Sequence, residues 1–504
     1  MRLPALFAAS LVLALPLQAQ TVDTAGAGAI ISQAMDHSEV MKTAEYLTDV
    51  IGPRLTSSPG RKRANDWTLQ QFKQWGLTGQ VEPWTFGVAW ERGPVTARML
   101  APFNRLVTAH SWAWTVGTGG KPLAGPVVKV DAGDAQALAA QASKLKGAWV
   151  MLNQPSSIWN PDGPPMTAED SARMREEREA RRQQFQQNQD TSAASREARR
   201  QFRVDLPYLL KKYGALGELS DGAKEFGLMT MSGSPYSVSP FPHLVIAHED
   251  YATLYRLIER GETPRFEASI SNTLGTTPVT QWNTVAEIRG SEKPDEVVIL
   301  GAHLDSWDLG TGATDNAAGS VVVMEAARAL KQSGLKPKRT IRFILFSGEE
   351  EGLLGSAAYA AAHAKELDKV QAVLVLDNGT GMIVGQALQG RNQDAQLWKD
   401  LLAPVNSLGA DRVREGNKGG TDHLSFIPYG VPSWNFDQES RGYGHTHHSQ
   451  VDTYDHLVPG DLKQASAVMA VTAFELANLP ELLPRGEKRP VEPRQVAKPS
   501  AGLK

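Results

Sequence analysis

The 504-residue sequence contains no cysteine. The exported or cytosolic chain therefore forms no disulfide bond, and it offers no thiolate to a metal ion. Any metal must be bound by His, Asp and Glu, and the sequence supplies 11 histidines and 55 acidic residues for that purpose.

The sequence also lacks a strong excess of either charge. Its 52 Lys and Arg residues nearly balance the acidic residues, which gives a net charge of −3 and a pI near 6.4. Nucleic acid is therefore not expected as a partner, because its binding proteins carry a basic excess. The length and a hydrophobic content of 41% predict a soluble globular protein of two or three domains.

No long apolar run follows the first 20 residues. Residues 1–20, MRLPALFAASLVLALPLQAQ, contain one arginine, an apolar stretch and a small-residue end. This pattern predicts a signal peptide cut near Ala19 or Gln20. A membrane anchor is disfavoured, because about 20 unbroken apolar residues are needed to span a bilayer. We therefore expect an exported protein, periplasmic or secreted, without a membrane anchor after cleavage.

From residue 284 onward, apolar strands alternate with helical segments. The predicted strands are TVAEIRG, EVVILGAH, TIRFILF and VQAVLVL, and the helices are 316–332 and 354–364. This alternation predicts an α/β fold with a mostly parallel sheet and helices on both faces. We assign residues 21–99 and 279–483 to this discontinuous domain.

Residues 100–278 have a different character, with short apolar runs separated by turns, and predict an inserted β-rich domain. Within them, residues 166–204 are rich in Glu, Arg and Gln and have almost no apolar face. A solvated helical hairpin is favoured there over a binding arm. Residues 484–504 are rich in Pro, Lys and Arg, and we predict a disordered tail.

Several histidine and acidic residues follow the predicted strands or precede a helix. They are His303, Asp305, Asp315, the run Glu349–Glu351, Asp377 and His448. Ligands of parallel sheets bind beyond the carboxyl ends of the strands. Clustered carboxylates are unfavourable unless cations neutralise them or some are protonated. Zinc and similar ions bind this mixture of side chains, and there are enough ligands for two ions.

At these residues the sequence resembles the dizinc exopeptidases, a family that includes bacterial leucyl aminopeptidases, aminopeptidase Y and plasma glutamate carboxypeptidase. The matching motifs are GAHLDS, GATDNAAG, GEEEGLLGS, VLVLDNG, GGTDHLSF followed by GVP, and HHSQVDT. Their order and spacing match through residues 284–457, and GPR with LTSSPG fits the N-terminal part of the family. The region 100–278 is more weakly similar to the protease-associated domain of many relatives.

The resemblance implies two divalent metal ions, with Zn²⁺ favoured. The implied ligands are His303 and Asp377 for one ion, Glu350 and His448 for the other, and Asp315 as the bridge between them. Asp305 would orient the ring of His303 from outside the ligand set. A cis peptide bond between Asp315 and Asn316 is also expected from the resemblance.

The same resemblance gives the three adjacent glutamates different roles. Glu349 would be the general base and Glu350 a metal ligand, because neighbours at a strand end point to different sides. Glu351 matches no catalytic position and would only favour the start of a helix.

Some family aminopeptidases have a tyrosine immediately before the last histidine ligand, where this sequence has His447. His447 and His445 are therefore candidates for oxyanion stabilisation, with lining of the site as the alternative. Asp422 and His423 fit a family motif outside the metal set, and we interpret them as packing or substrate-pocket residues.

The implied reaction is hydrolysis of a terminal peptide bond of a peptide or dipeptide. An aminopeptidase is favoured, and a dipeptidase of the carboxypeptidase type stays open. Two other classes share this fold: glutaminyl cyclases, which use one zinc ion, and transferrin-receptor-like ectodomains, which have lost ligands. The complete ligand set favours the hydrolase over both. Metal analysis separates these classes, since they would bind about two, one or no ions.

Overall fold

The computed structural model describes residues 24–156, 173, 176, 192–491 and 498–503. The predicted signal peptide, residues 1–20, lies outside these ranges. Within them, no helix combines the length and the apolar character that crossing a lipid bilayer requires.

The helices are distributed along the described chain in both parts of the fold. They are α1 (Thr24–Met35), α2 (Val40–Glu45), α3 (Pro59–Gln74), α4 (Ala135–Ala140), α5 (Ala142–Leu145), α6 (Ala193–Lys212), α7 (His248–Glu259), α8 (Ala318–Gln332), α9 (Leu354–Ala362), α10 (Ala395–Leu402), α11 (Tyr443–Thr446) and α12 (Pro459–Asn478). Helix α3 begins within the GPRLTSSPG segment. Ser58 accepts a hydrogen bond from the backbone N–H of Arg61 at 3.2 Å, and Pro59 occupies the first turn.

The first sheet has eight strands in the order β1-β10-β12-β11-β13-β16-β14-β15. They are β1 (Thr78–Glu91), β10 (Thr273–Ile288), β11 (Lys293–His303), β12 (Arg339–Phe346), β13 (Val370–Val375), β14 (Ile383–Ala387), β15 (Arg412–Arg414) and β16 (Ser433–Gln438). Strands β12, β11, β13 and β16 are parallel. Antiparallel pairs flank them, namely β1 with β10, β10 with β12, and β14 with β16. The predicted α/β class is confirmed. The central parallel part of the sheet consists of four of its eight strands.

The first sheet is buried on both faces. In β11, Val298, Leu300 and Ala302 point into one hydrophobic core, which also contains side chains of α1, α2, α3, α8, α10 and α12. Their neighbours Val297 and Ile299 point into a second core with side chains of α9. Successive strand residues alternate between the two faces, so a continuous apolar run is what a sheet covered on both sides requires.

A second eight-stranded sheet, in the order β3-β2-β9-β5-β6-β7-β8-β4, lies in the chain between β1 and β10. Its strands are β2 (Val95–Ala101), β3 (Arg105–Leu106), β4 (Ala109–Ser111), β5 (Leu123–Lys129), β6 (Trp149–Met151), β7 (Gly217–Asp221), β8 (His243–Ile246) and β9 (Arg265–Ile270). We call residues 95–270 the insert. The sequence placed it at 100–278. The boundary differs because the long strands β1 and β10 pair as a ribbon from Thr78 with Glu287 to Glu91 with Thr273.

Tryptophan side chains connect the insert to the first sheet. Trp114 of the insert lies 6.0 Å from Trp90 of β1 and 6.4 Å from Trp307, measured between ring centroids. Trp307 in turn meets the ring of His448 edge to face at 5.9 Å. The insert therefore packs against the part of the chain that carries a predicted metal ligand.

The two charged segments predicted from the sequence, residues 484–504 and 166–204, lie only partly within the described residues. The predicted disordered tail, residues 484–504, is described at 484–491 and 498–503, where it contacts other parts of the chain. Arg485 donates to backbone carbonyls near β13, Lys488 pairs with Asp368 at 2.7 Å, and the Ser500 hydroxyl donates to Asp205 at 2.6 Å. The two basic residues thus contact the segment around the start of β13, and Ser500 contacts α6 of the insert. Most of the segment 166–204 lies outside the described residues, and its end belongs to α6.

Candidate metal centre

The predicted site residues lie at one edge of the first sheet. His303 is the last residue of β11, while Glu349 and Asp377 follow the ends of the neighbouring strands β12 and β13. Because these three strands are parallel, their carboxyl ends lie together. Asp315 comes from the turn before α8, and His448 comes from the loop after α11. The topology thus brings five residues from distant parts of the chain to one place.

The first group of potential ligands surrounds His303. Its Nε2 atom lies 3.3 Å from Oδ1 of Asp315 and 3.6 Å from Oδ2 of Asp377. All three residues are buried, and their ligand atoms lie within 4.8 Å of one another. Burial alone would lower the pKa of His303, but the charges of Asp377 and Glu349 raise it well above its usual value. The surrounding carboxylates therefore favour positive charge at this point.

The second group surrounds His448. Its Nε2 atom lies 3.0 Å from Oε2 of Glu350 and 3.4 Å from Oδ2 of Asp315. The Nε2 atom of His447 is 3.8 Å from the same Asp315 oxygen. Burial lowers the pKa of both histidines, which favours the neutral imidazole that a metal ion needs. Asp315 thus presents one oxygen to each group.

The residues present fit two divalent cations. Buried polar atoms in proteins nearly always have a partner. Among the described residues, however, His303 Nε2, Asp315 Oδ2 and Glu350 Oε1 are buried without a hydrogen-bond partner. Burial, and then the charge of Asp315, raise the pKa of Glu350 well above its usual range. Imidazole nitrogens and carboxylate oxygens are ordinary zinc ligands, so cations would satisfy these atoms and offset the repulsion.

Asp305 contacts the ring of His303 through its backbone carbonyl and not through its carboxylate. The Nδ1 atom of His303 lies 3.0 Å from the backbone carbonyl of Asp305 and 3.8 Å from its carboxylate. The carbonyl therefore orients the ring. The carboxylate instead accepts hydrogen bonds from the Thr56 hydroxyl at 3.1 Å and from the backbone N–H of Glu350 at 3.2 Å. It connects the GPRLT segment to the chain that carries the glutamates.

Glu349 and Glu350 lie in a turn after β12, not within the strand. The backbone N–H groups of Gly352 and Leu353 both donate to the carbonyl of Glu349, at 2.7 and 2.9 Å. Glu349 Oε2 lies 4.0 Å from Nε2 of His303, whereas Glu350 contacts His448. The side chains of Glu349 and Glu350 thus point toward different histidines. The turn separates them, whereas the sequence attributed this to the alternation of a strand.

Glu351 does not have the predicted role at a helix start. Helix α9 begins at Leu354 and has no acidic residue in its first turn. Glu351 is buried, with 6% relative exposure. Burial, and then the charge of Asp305, raise its pKa well above the usual carboxyl range. Glu351 is therefore a buried carboxyl group close to Asp305 and to the predicted ligand Glu350.

Asp452 holds Asp315, the predicted bridging ligand, through contacts that the sequence did not reveal. Its Oδ1 atom accepts hydrogen bonds from the backbone N–H and the hydroxyl of Thr314, at 2.6 and 2.8 Å. Its Oδ2 atom accepts from the backbone N–H of Asp315 at 3.0 Å. The expected cis peptide bond between Asp315 and Asn316 is present. Asp452 belongs to the HHSQVDT motif, which marked it without giving its partner.

Arg54 is the second supporting residue that sequence reasoning missed. It is fully buried, and its guanidinium donates to the carbonyls of Leu304, Thr311 and Gly312 at 2.8, 2.7 and 2.8 Å. Burial lowers its pKa to about 10, and the charge of Asp452 opposes this shift. Arg54 stays charged at neutral pH and holds the loop between His303 and Asp315. The GPR motif was the available signal.

Of the proposed oxyanion donors, His447 lies at the site and His445 is exposed. The ring of His447 stacks on His448 at 3.7 Å. Tyr443, which the sequence did not single out, meets His447 edge to face at 5.1 Å. Burial, and then the charge of Asp315, raise the pKa of the Tyr443 phenol well above its usual value. Tyr443 therefore keeps its proton and can donate a hydrogen bond.

Asp422 and His423 are buried completely. Burial raises the pKa of Asp422 to about 7 and lowers the pKa of His423 to about 4. Their inaccessibility favours packing over contact with a substrate, which was the other interpretation of this motif.

Comparisons with known proteins agree with this geometry. Residues 283–473 match peptidase family M28. Mouse carboxypeptidase Q is 29% identical over 448 residues, which cover 87% of this chain and 86% of the mouse protein. A peptidase M28 precursor from Shewanella amazonensis is 27% identical in its crystal structure, with a TM-score of 0.72 over 92% of this chain and 99% of that one.

A zinc aminopeptidase from Bacillus subtilis has the same fold. It is 20% identical, with a TM-score of 0.59, and the alignment covers 86% of this chain and 93% of that one. Neither the family match nor these proteins support a glutaminyl cyclase. The match of residues 283–473 to peptidase family M28 and the similarity to carboxypeptidase Q support a zinc metallopeptidase of the dizinc exopeptidase type.

Proposed function

We propose that the protein is a two-metal exopeptidase, with Zn²⁺ as its metal, that hydrolyses the terminal peptide bond of short peptides. The observation that carries the proposal is the position of Asp315, whose two oxygens face two separate histidines, His303 at 3.3 Å and His448 at 3.4 Å. Two-metal hydrolases use such a shared ligand. The B. subtilis aminopeptidase of this fold is described as a zinc enzyme.

Glu349 is the proposed general base. When bound, the two ions would supply Lewis acidity and a water molecule with a pKa lowered toward about 7. Glu349 takes a proton from the attacking water as its oxygen adds to the carbonyl carbon. It returns that proton to the nitrogen as the C–N bond breaks, so that one water is consumed and a carboxylic acid and an amine form. Burial raises the pKa of Glu349, and the two cations, when bound, would favour the ionised form that accepts a proton.

His447 and Tyr443 are the proposed donors to the oxygen that gains negative charge. His447 occupies the position where some relatives have a tyrosine, and Tyr443 packs against its ring. Donors already in place at that oxygen act mainly on the transition state. A phenol four residues earlier in the sequence would thus compensate for the missing tyrosine.

Short free peptides are the proposed substrates. The sequence favoured an aminopeptidase, whereas carboxypeptidase Q is the relative that aligns over 87% of the chain. A dipeptide has only one peptide bond, so amino-terminal and carboxy-terminal cleavage coincide on it. Dipeptides therefore suit both alternatives and are the first substrates to test.

Metal removal tests the proposed function. A chelator should abolish dipeptide hydrolysis, and added Zn²⁺ should restore it together with about two ions per chain by elemental analysis. Glu349→Gln should bind the same metal content with little activity, and the exposed Glu415→Gln is its matched control. Full activity of a sample shown to be metal-free would contradict the proposal.

We also propose export from the cytoplasm, supported by the composition of residues 1–20. Cell fractionation and N-terminal sequencing of the mature protein test it. The expected product lies outside the cytoplasm and begins near Gln20 or Thr21. An intact Met1 terminus in the cytoplasmic fraction would contradict this proposal and leave the catalytic one unaffected.

A further inference from the structure

The insert reaches the metal centre through residues 222–231. The backbone N–H of Met231 donates to the carbonyl of His448 at 2.8 Å. Gln450, two residues beyond that histidine, accepts from the N–H of Met229 at 3.0 Å and donates to the carbonyl of Gly227 at 2.8 Å. This segment of the insert therefore runs along the loop that carries a metal ligand.

Lys224 brings a positive charge to this loop. Its ammonium group donates to the carbonyls of Gly444 and His445 at 2.7 and 3.5 Å. Gly444 and His445 lie four and three residues before His448, so these contacts place the ammonium group beside the loop that carries this histidine. No carboxylate of the described chain forms an ion pair with Lys224. An ammonium group has three donors, and two carbonyls leave one of them free.

Other cations near the centre are already engaged. Lys418 donates to the carbonyl of Phe436 at 2.7 Å and lies 3.5 Å from the carboxylate of Asp437. Arg54 is buried among backbone carbonyls. Lys224, by contrast, is half-buried, so part of its side chain is accessible to a ligand. Of these three described cations, Lys418 has a carboxylate partner and Arg54 is fully buried, whereas the described partners of Lys224 are backbone carbonyls.

We propose that Lys224 binds the free C-terminal carboxylate of a short substrate, which makes unblocked dipeptides the preferred substrate class. This inference rests on the proposed exopeptidase function. The site is rich in carboxylates, which repel an anionic substrate end unless a cation faces it. A charge-assisted hydrogen bond to a carboxylate is among the stronger contacts a lysine makes. The insert would thus determine specificity, while the first sheet supplies the chemistry.

The test compares leucylglycine with its C-terminal amide, leucylglycinamide, as substrates of the zinc-loaded enzyme. Lys224→Met should lower kcat/KM for the free dipeptide by about 10- to 100-fold and leave kcat/KM for the amide nearly unchanged. Lys224→Arg keeps the charge and should retain most of the preference. The exposed Lys212→Met, also in the insert, is the control and should behave as the wild type.

If Lys224 has only a structural role, Lys224→Met should lower kcat/KM equally for both substrates. That result would overturn the assignment. If Lys224→Met does not fold, the wild type still decides, because equal kcat/KM values for the two substrates would also overturn it. Metal-dependent hydrolysis of both substrates without preference refutes only the role of Lys224. No hydrolysis of either would refute the proposed function and this inference together.

Discussion

Replacing Asp452 with asparagine should weaken metal binding without removing any ligand. The carboxylate of Asp452 accepts three hydrogen bonds from Thr314 and Asp315. Asparagine has the same shape and keeps one acceptor oxygen. That oxygen can serve both donors of Thr314, but the amide NH₂ then faces the backbone N–H of Asp315, and two donors cannot pair.

The expected loss follows from that single contact. A hydrogen bond to a charged group contributes about 1.5–3 kcal/mol, and about 1.4 kcal/mol corresponds to a factor of ten. If the contact acts mainly on the position of Asp315, the dissociation constant for the metal should rise by about 10- to 100-fold, as is typical for groups that orient metal ligands. Because Asp315 faces both ligand groups, the affinity of both sites should fall.

The assay is zinc binding in chelator-buffered solution, with metal content measured at each free-zinc concentration. Burial, and then the charge of Asp315, raise the pKa of Asp452 to about 7, so the comparison belongs at about pH 8, where the carboxylate is ionised. Asp455→Asn changes an exposed residue three positions away and is the matched control. A zinc affinity for Asp452→Asn within about threefold of the wild type, a change well below one charged hydrogen bond, would refute this reasoning.

Three further predictions concern the glutamates and one ion pair. Glu349→Gln should keep its metal and lose about 10²- to 10⁴-fold in kcat, whereas Glu350→Gln should lose metal as well; swapped metal contents would reverse the two roles. Glu351→Gln should change kcat and metal content little, because burial raises the pKa of Glu351 and its protonated form resembles glutamine; inactivation would show an ionised role. His363 and Glu82 lie 2.9 Å apart, and their hydrogen bond raises the pKa of His363. Burial acts to raise the pKa of Glu82, but the contact with His363 acts against it, and the pKa of Glu82 is lowered. The pair should stabilise the fold between about pH 4.5 and 6.5. This contribution should disappear as the pH rises through the raised pKa of His363 or falls through the lowered pKa of Glu82. A Tm difference between the wild type and His363→Gln that is as large at pH 9 as at pH 5.5 would contradict this prediction.

The centre of the fold and the candidate ligands could be predicted from the sequence for a local reason. Apolar runs such as VVILGA and TIRFILF indicate a strand that is buried on both faces of a sheet. The residues that follow each run lie at the edge of the sheet where ligands bind. His303 and Asp377 can be predicted as candidate ligands in this way. The antiparallel flanks were not predicted, because strand direction depends on connections that short motifs do not encode.

The supporting residues could not be predicted, because their partners are distant in the chain. Asp452 binds a backbone group 137 residues away, Arg54 one 250 residues away, and Lys224 one 220 residues away. Glu351 was misinterpreted for a related reason. Its neighbour Asp305 lies on another strand end, so local spacing suggested a helix start where the structure has a buried carboxyl group.

Three of the supporting contacts share one physical feature, which is that they hold the backbone of a predicted ligand residue and leave its ligand atoms free. Asp315 is held through its N–H by Asp452, Glu350 through its N–H by the carboxylate of Asp305, and His448 through its carbonyl by Met231. Hydrogen bonds to the side-chain oxygens and nitrogens would compete with a cation for the same lone pairs. Anchoring the main chain instead pre-positions mutually repelling carboxylates while their charge stays available to metal. Because one of these anchors comes from the insert, a change in how the insert packs should alter metal affinity as well as substrate choice.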